Sequence, residues 1–271
     1  MRAAHDYRLC RRSKGKRVKK ELSRRKFITT TLGAAAGASG IAVAARVADG
    51  YGLIPPDHSG IFGIGETLTY ASQRILTSFH SQAREFDRSQ ITEIPIVNGN
   101  APQNEMYERL FRGKFADWRL TIDGLVARPS SFSLADLKRY PSTTHITQLA
   151  CEEGWSFIAE WTGVSLFDVL NFVGVLPQAK YVVYFSMDEE WWDSLDMPEA
   201  WHPQTLLTYA MNGRDLTVDH GAPLRLRLPR QLGYKSVKYV HRITVTDNIK
   251  KFGSGFGSVS PDLGYSWYAG I

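Results

Sequence analysis

Only one cysteine lies outside the basic N-terminal segment of this 271-residue chain, and this limits how the fold can be held together. Cys151 stands in the stretch QLACEEGWSFIAEW at 148–161, whereas Cys10 lies among lysines and arginines. A domain with a single thiol forms no internal disulfide, so a buried apolar core has to stabilise it. Because 43% of the residues are hydrophobic, the sequence predicts one large domain with one sizeable core.

The residues around Cys151 leave two interpretations of its thiol open. A lone cysteine is commonly a small, inert, buried side chain. It can also be the thiolate ligand of a soft metal ion. An apolar run ends at Cys151, and two glutamates, a glycine and Trp155 follow, so the pattern predicts a strand that ends in a turn over a cavity. This setting favours the metal ligand.

The N-terminal segment has the layout of a twin-arginine export signal. Residues 23–28 are SRRKFI, and the small, weakly apolar residues 29–48 follow directly, with a small-residue cleavage site at 42–44. We therefore assign 1–48 to a leader and expect the mature protein in the periplasm. An uncleaved leader would instead tether the protein to a membrane.

The basic charge of the chain belongs to this leader. The whole chain carries a formal net charge of +6, but residues 1–27 hold twelve Lys or Arg against Asp6 and Glu21. The remainder therefore carries a net charge of −4. A mildly acidic folded part excludes the basic patch that nucleic-acid binding requires.

Apolar periodicity predicts helices mixed with strands after the leader. The expected helices are 67–86, 133–140, 165–173 and 203–211, and the expected strands are 118–126, 179–186, 224–228 and 237–245. No regular strand-helix-strand order links them, so the fold class is α+β. We assign 49–93 to a linker and an N-terminal helix, and 94–271 to a single catalytic domain.

Two arginines in HGAPLRLRLP at 220–229 suggest an anion site. Alternation places Arg225 and Arg227 on the strand face opposite three leucines. Such arginines are commonly solvated, but the apolar neighbours favour a bidentate contact with an anion such as phosphate. The turn at 233–235, Gly-Tyr-Lys, can offer backbone N–H groups and an ammonium to the same anion. The residues thus suggest a phosphate-bearing cofactor beside a thiolate-bound metal.

Five segments together resemble the sulfite oxidase family of molybdopterin enzymes. They are CEEGW at 151–155, WTGVSL at 161–166, AWHPQTLL at 200–207, HGAPLRL at 220–226 and GYKSVKY at 233–239. Within the family, the chain is similar to an exported bacterial branch that includes a periplasmic methionine-sulfoxide reductase. The resemblance covers about 94–247. It implies a mixed-sheet, barrel-like molybdopterin-binding domain and a molybdenum-molybdopterin cofactor.

The resemblance also implies roles for individual residues. Cys151 becomes the thiolate ligand of molybdenum. Seven further residues become cofactor contacts: Asn98, Ser186, His220, Arg225, Gly233, Tyr234 and Lys235, with Arg225, Gly233 and Lys235 at the pterin phosphate. Ser186 stands where the branch has threonine, and His220 where it has asparagine. The branch's Asn-Asn-Phe-Tyr-Glu-Phe string has no match here, which counts against methionine sulfoxide as the substrate.

These features predict an exported oxidoreductase that transfers an oxo group on a small S-oxide, N-oxide or sulfite-like substrate. Glu152 or Glu153, beside the metal ligand, is a candidate proton carrier. The chain has neither a haem-attachment motif nor an iron–sulfur cysteine set, so we expect a haem-containing membrane cytochrome as redox partner. We expect a monomer. The alternative is a non-enzymatic periplasmic protein that binds an anion on the arginine strand.

Overall fold

The computed structural model describes residues 52–60, 63–76 and 81–271, together with five helical positions between 43 and 49. The twin-arginine motif at 23–28 lies outside the described residues, so the export signal stays a prediction. Contacts divide the chain into Met1–Tyr51 and Gly52–Ile271, and every feature below belongs to the second unit. Within the described ranges, no helix is both long enough and apolar enough to cross a membrane.

Helices and strands alternate irregularly along the second unit. The helices are α1 (Gly63–Leu76), α2 (Glu105–Arg112), α3 (Leu134–Leu137), α4 (Leu166–Val173), α5 (Met197–Ala200) and α6 (Val259–Asp262). The strands are β1 (Leu120–Gly124), β2 (Ser130–Phe132), β3 (Ser142–Ala150), β4 (Ser156–Ser165), β5 (Tyr181–Ser186), β6 (Trp192–Asp196), β7 (Leu206–Met211), β8 (Arg214–Asp215), β9 (Arg225–Arg227) and β10 (Val240–Thr246). Short 3₁₀ helices span Arg88–Gln90, Val218–His220 and Gly233–Lys235.

The described strands form two open sheets. Sheet I has the order β2-β1-β10-β5-β6, in which β1 and β10 run parallel and the other pairs antiparallel. Sheet II has the antiparallel order β3-β4-β7-β8, and β9 also pairs with β7. The α+β class is confirmed. The barrel-like expectation was wrong, because the outer strands of neither sheet pair with each other, as closure requires.

The main apolar core draws on both sheets and on α4. Its fully buried side chains include Leu120, Ile122, Leu170, Val182, Leu207, Leu226 and Ile243. The predicted leucine face of β9 is confirmed, since the leucines at 224, 226 and 228 are all inaccessible to solvent. The opposite face of β9 is buried as well, because Arg225 and Arg227 expose only 5% and 1% of their surface. Both arginines therefore lie inside the protein.

Several elements agree with their sequence patterns. The predicted strand before Cys151 is β3, which ends at Ala150. The short helix at 133–140 is α3, where Ser133 Oγ accepts a hydrogen bond from the Asp136 N–H at 3.1 Å. The predicted helix at 165–173 is α4, and the strand at 179–186 is β5.

Residues 206–211 form a strand, so the helix predicted at 203–211 was wrong. β7 is hydrogen-bonded to β4 on one side and to β9 on the other. Asn212 and Gly213 have φ angles of +51° and +75°, the conformation of a two-residue hairpin turn, and they lead into β8. Pairing on both sides outweighs a local helical pattern, because sheet preference depends mainly on tertiary context.

The N-terminal helix is also shorter than predicted. α1 ends at Leu76 instead of continuing to residue 86. Residues 81–86 are not helical, and Glu85 forms an antiparallel bridge with Thr147 of β3. The segment before the catalytic domain thus contacts the strand that leads to Cys151.

Candidate active site

Most of the predicted site residues line one cavity, which has a volume of about 1000 Å³ with its open mouth included. Its walls come from the ends of β3 and β5, from β9, and from the loops 96–100 and 233–239. Seven of the eight residues assigned from the sequence line it: Asn98, Cys151, Ser186, His220, Arg225, Gly233 and Tyr234. The eighth, Lys235, is not among the lining residues.

The turn after β3 presents the Cys151 thiol to this cavity. Ala150 pairs with Ser156 across β3 and β4, and the four residues between Cys151 and Ser156 form the turn. The Cys151 N–H donates to the Trp155 carbonyl at 2.9 Å, and the Gly154 N–H donates to the Cys151 carbonyl at 3.1 Å. Gly154 has φ +91°, a conformation that side chains other than glycine rarely adopt. The hairpin therefore holds Cys151 at the cavity wall.

Without a metal, the Cys151 thiol is held in its protonated form. Burial is the main cause that raises its pKa to about 11; the Glu152 carboxylate contributes to the rise, and a backbone N–H at Glu153 opposes it. The sulfur lies 3.3 Å from Glu152 Oε2 and can donate to it. An activated cysteine nucleophile needs the opposite environment. A bound cation would stabilise the thiolate and displace the proton, which matches a metal ligand.

Arg225 contributes a buried positive charge to the cavity. Its guanidinium donates to the carbonyls of His220 at 3.1 Å and Ser236 at 2.9 Å, and it lies over the Trp161 ring. Its Nε atom is buried without a hydrogen-bond partner. Among the described residues, no carboxylate forms an ion pair with it. Burial lowers its pKa to about 10, which still leaves it charged at neutral pH.

Lys235 points into the protein interior instead of the cavity. Its Nζ donates to Asp193 Oδ1 at 2.5 Å and to the carbonyls of Ser194 at 2.7 Å and Trp267 at 2.8 Å. Asp193 is itself fully buried and also accepts from the hydroxyls of Ser258 and Ser260. Lys235 therefore anchors the C-terminal segment, and its ammonium is already neutralised by a carboxylate.

Lys238 is the lysine that reaches the cavity. Its Nζ donates to the backbone carbonyls of Asn98 at 2.7 Å and Asp219 at 3.0 Å. Burial and, to a smaller extent, the nearby Arg225 charge lower its pKa to about 8. Sequence reasoning missed Lys238 and the lining residue Ser236, although both lie in the matched segment 233–239. Lys235 pairs with Asp193 because that carboxylate is buried, and the sequence does not predict this burial.

The remaining predicted residues shape the cavity wall. A Cβ atom at Gly233 would lie 3.0 Å from Leu149 Cδ2 and 3.2 Å from the Ala150 carbonyl, so the turn packs closely against the end of β3. Ser186 Oγ accepts from the Asp188 N–H at 2.9 Å. Burial and the Arg225 charge lower the pKa of His220, which keeps its ring neutral at pH 7. Tyr234 donates its hydroxyl to the Ser266 carbonyl at 2.6 Å.

Carboxylates line the cavity together with these cations. Glu152, Asp188 and Asp219 belong to the wall. Glu153 accepts a hydrogen bond from the indole N–H of the lining residue Trp155 at 2.7 Å. The cavity thus combines a buried cationic region around Arg225 with acidic groups.

The residues present fit a bound molybdopterin. The Arg225 guanidinium has a free donor and no carboxylate partner among the described residues, so it suits the pterin phosphate. Lys238 adds a second cation at the same cavity. No group of three or more His, Cys, Asp or Glu residues in the described part could hold a metal ion. A metal at Cys151 therefore needs further ligands, and the dithiolene sulfurs of molybdopterin are donors of the same soft class.

Comparisons with known proteins identify similar sequences over most of this domain. The family model described as "Oxidoreductase molybdopterin binding domain" matches residues 109–252, a range that contains Cys151, Arg225 and Lys238 but not Asn98. A protein from Azospira oryzae, provisionally named as the protein-methionine-sulfoxide reductase subunit YedZ1, is 37% identical over 190 residues, which cover 68% of this chain and 70% of that protein.

Two curated relatives carry the name protein-methionine-sulfoxide reductase catalytic subunit MsrP. The protein from Ralstonia nicotianae is 33% identical over 145 residues, covering 48% of this chain and 44% of the relative. The protein from Xanthomonas axonopodis pv. citri is 34% identical over 151 residues, covering 50% and 47%. The chain thus spans less than half the length of either relative.

A solved structure is similar over part of the chain. The sulfane dehydrogenase SoxCD from Paracoccus pantotrophus aligns with a TM-score of 0.47 and 30% identity, covering 49% of this chain and 39% of the other. The assignment rests on the family model, which matches over half the chain, and on the Azospira relative. This chain belongs to the oxidoreductases with a molybdopterin-binding domain of the sulfite oxidase family, and it is a molybdopterin-dependent enzyme.

Proposed function

We propose that this enzyme is an exported reductase of small S-oxides that carry no net negative charge. The observation that carries the proposal is one cavity in which the Cys151 thiol and the unpaired Arg225 cation share a wall with acidic groups. The relatives' names, which refer to reduction of methionine sulfoxide, support the direction of the reaction. Membership of an oxidoreductase family sets aside the non-enzymatic anion-binding alternative.

The chain's own residues have distinct parts in this function. When bound, the molybdenum cofactor supplies two-electron oxygen-atom transfer. Cys151 holds the metal, while Arg225 and Lys238 hold the phosphate through charge-assisted hydrogen bonds. Trp155, which lines the cavity and donates its indole N–H to Glu153, forms part of the substrate wall.

The charge of the cavity disfavours an anionic substrate. Once the cofactor phosphate pairs with Arg225 and Lys238, the carboxylates of Glu152, Asp188 and Asp219 dominate the remaining charge of the wall. A negative wall repels an anion such as sulfite, but it has no such effect on a neutral S-oxide. The specific substrate methionine sulfoxide is not part of the proposal, because the string expected before the domain is missing.

Reduction of an S-oxide also needs protons. The sulfur–oxygen bond breaks, two electrons and two protons enter, and a thioether and water leave. Glu152 lines the cavity, and its Oε2 lies 3.3 Å from the Cys151 sulfur, so this carboxyl group is placed to carry a proton to the departing oxygen.

A substrate series of matched shape tests the proposal. Holoenzyme would be assayed with a reduced viologen dye as electron donor and three S-oxides of different charge: methionine sulfoxide amide (cation), methionine sulfoxide (zwitterion) and N-acetylmethionine sulfoxide (anion). We expect turnover, with kcat/KM lowest for the anion and the difference shrinking as salt is added. Turnover of sulfite with an oxidising dye and none of any S-oxide would overturn the proposal, and so would activity with N-oxides alone.

We further propose that the enzyme works in the periplasm with a haem-containing membrane cytochrome. The SRRKFI motif at 23–28 supports export. The absence of a haem-attachment motif from the sequence supports an external electron donor, and the relatives are themselves named as subunits. Oxidation of dithionite-reduced haem in washed membranes, on addition of enzyme and S-oxide, tests the partner. Haem that stays reduced would contradict it.

A further inference from the structure

Arg227 is a buried cation that the site described so far does not use. It exposes 1% of its surface and is not among the residues that line the cavity. Its guanidinium donates to Thr147 Oγ1 at 3.3 Å, to the Gln148 carbonyl, and to Ser236 Oγ at 3.4 Å, while Nε has no partner. None of the described carboxylates pairs with it. A buried charge of this kind is costly unless something compensates it.

Arg227 and Arg225 form a pair around shared neighbours. Each guanidinium carbon lies 5.3 Å from the centre of the Trp161 ring, so the two carbons are at most 10.6 Å apart. Both side chains also donate to Ser236, Arg225 to its carbonyl and Arg227 to its hydroxyl. Burial lowers the pKa of Arg227 to about 9, and the charge of Arg225 contributes to that shift. Two neighbouring cations therefore share the interior without a counter-ion among the described residues.

The position of the pair indicates where its counter-ion comes from. Arg225 lines the cavity that suits the cofactor phosphate, whereas Arg227, two residues further along β9, is not among the lining residues. Coulomb interactions in a protein interior remain substantial at about 10 Å, because little water screens them. An anion bound at Arg225 thus also stabilises the charge of Arg227.

We propose that Arg227 is a positioning residue for the cofactor. Its buried charge attracts the anionic phosphate bound at Arg225 without contacting it. The proposal rests on the molybdopterin cofactor and is independent of the substrate. The hydrogen bonds of Arg227 have a second effect. Thr147 and Gln148 belong to the strand that leads to Cys151, and Ser236 belongs to the turn at the phosphate region. Arg227 therefore links the metal-ligand strand to that turn.

Two substitutions distinguish the effect of the Arg227 charge from the effect of its hydrogen bonds. Arg227→Lys keeps the charge and loses the forked contacts, whereas Arg227→Gln keeps an amide donor and loses the charge. Leu226→Ala is the matched control, because Leu226 is fully buried on the opposite face of the same strand. The measurements are the rate of pterin loss from holoenzyme, followed by fluorescence of released pterin, and the Tm of the cofactor-free and cofactor-bound forms.

We expect Arg227→Gln to lose pterin on the order of tenfold faster than the unmodified enzyme. The gap in Tm between bound and free forms should shrink in this variant and stay nearly constant in Arg227→Lys. Leu226→Ala should lower both Tm values together and leave the gap unchanged. Equal pterin loss from the Lys and Gln variants would overturn the proposal. If Arg227→Gln does not fold, a Lys variant losing pterin within about twofold of the unmodified rate supports the proposal, and any faster loss overturns it.

Discussion

Replacing Lys235 or Lys238 by methionine should damage two different properties of the protein. Lys235 Nζ makes three short hydrogen bonds inside the protein, one of them to the fully buried Asp193 carboxylate. Lys238 Nζ contacts two backbone carbonyls beside the cavity. The first substitution should therefore destabilise the fold, and the second should weaken cofactor binding.

The magnitudes follow from what each substitution leaves unpaired. Lys235→Met leaves Asp193 as an uncompensated buried charge, which costs about 3–5 kcal/mol, a large part of the roughly 5–15 kcal/mol that stabilises a typical domain. Lys238→Met removes the charge-assisted contact that we propose with the phosphate, which is worth about 1.5–3 kcal/mol, or roughly 10- to 150-fold in affinity. Its effect on the free energy of unfolding should stay within about 1 kcal/mol, because its own contacts lie near solvent.

Urea unfolding of cofactor-free protein, followed by circular dichroism, measures the first effect. Pterin content of purified holoenzyme measures the second. The double variant Lys235→Met/Asp193→Asn is the control, since removing the unpaired charge should restore part of the lost stability and help a variant that otherwise fails to fold. The reasoning is refuted if Lys235→Met folds with normal stability but lacks pterin while Lys238→Met keeps it.

Three further predictions concern the metal ligand, export and pH. Cys151→Ser should give a folded protein without the molybdenum signal in electron paramagnetic resonance, because a hydroxyl is a hard, weakly acidic ligand; an unchanged signal would contradict the assignment. Arg24→Lys with Arg25→Lys should stop export at unchanged charge, as cell fractionation would show, and equal periplasmic yield would argue against the twin-arginine route. Because the Lys238 pKa is lowered from 10.5 to about 8, its ammonium deprotonates as pH rises through 8, so cofactor uptake by cofactor-free protein should weaken above that pH. Lys238→Arg should abolish this fall, which a pH series of uptake rates would test.

Features set by local patterns could be predicted from the sequence. The apolar run and the glycine turn around Cys151 predicted the end of β3 and the position of the thiol at a cavity, because both depend on residues near in the chain. Alternation predicted the leucine face of β9 for the same reason. The matched segments also identified the family, since their order and spacing are properties of the sequence itself.

Features set by contacts distant in sequence could be decided only by the tertiary structure. Residues 206–211 form a strand because β4 and β9 pair with them from both sides. Lys235 turns inward because Asp193 and the Trp267 carbonyl, 42 and 32 positions away, supply its acceptors, and this leaves Lys238 to face the cavity. The two arginines of β9 lie inside the protein because folding covers both faces of that strand, and an alternating pattern records only which residues share a face.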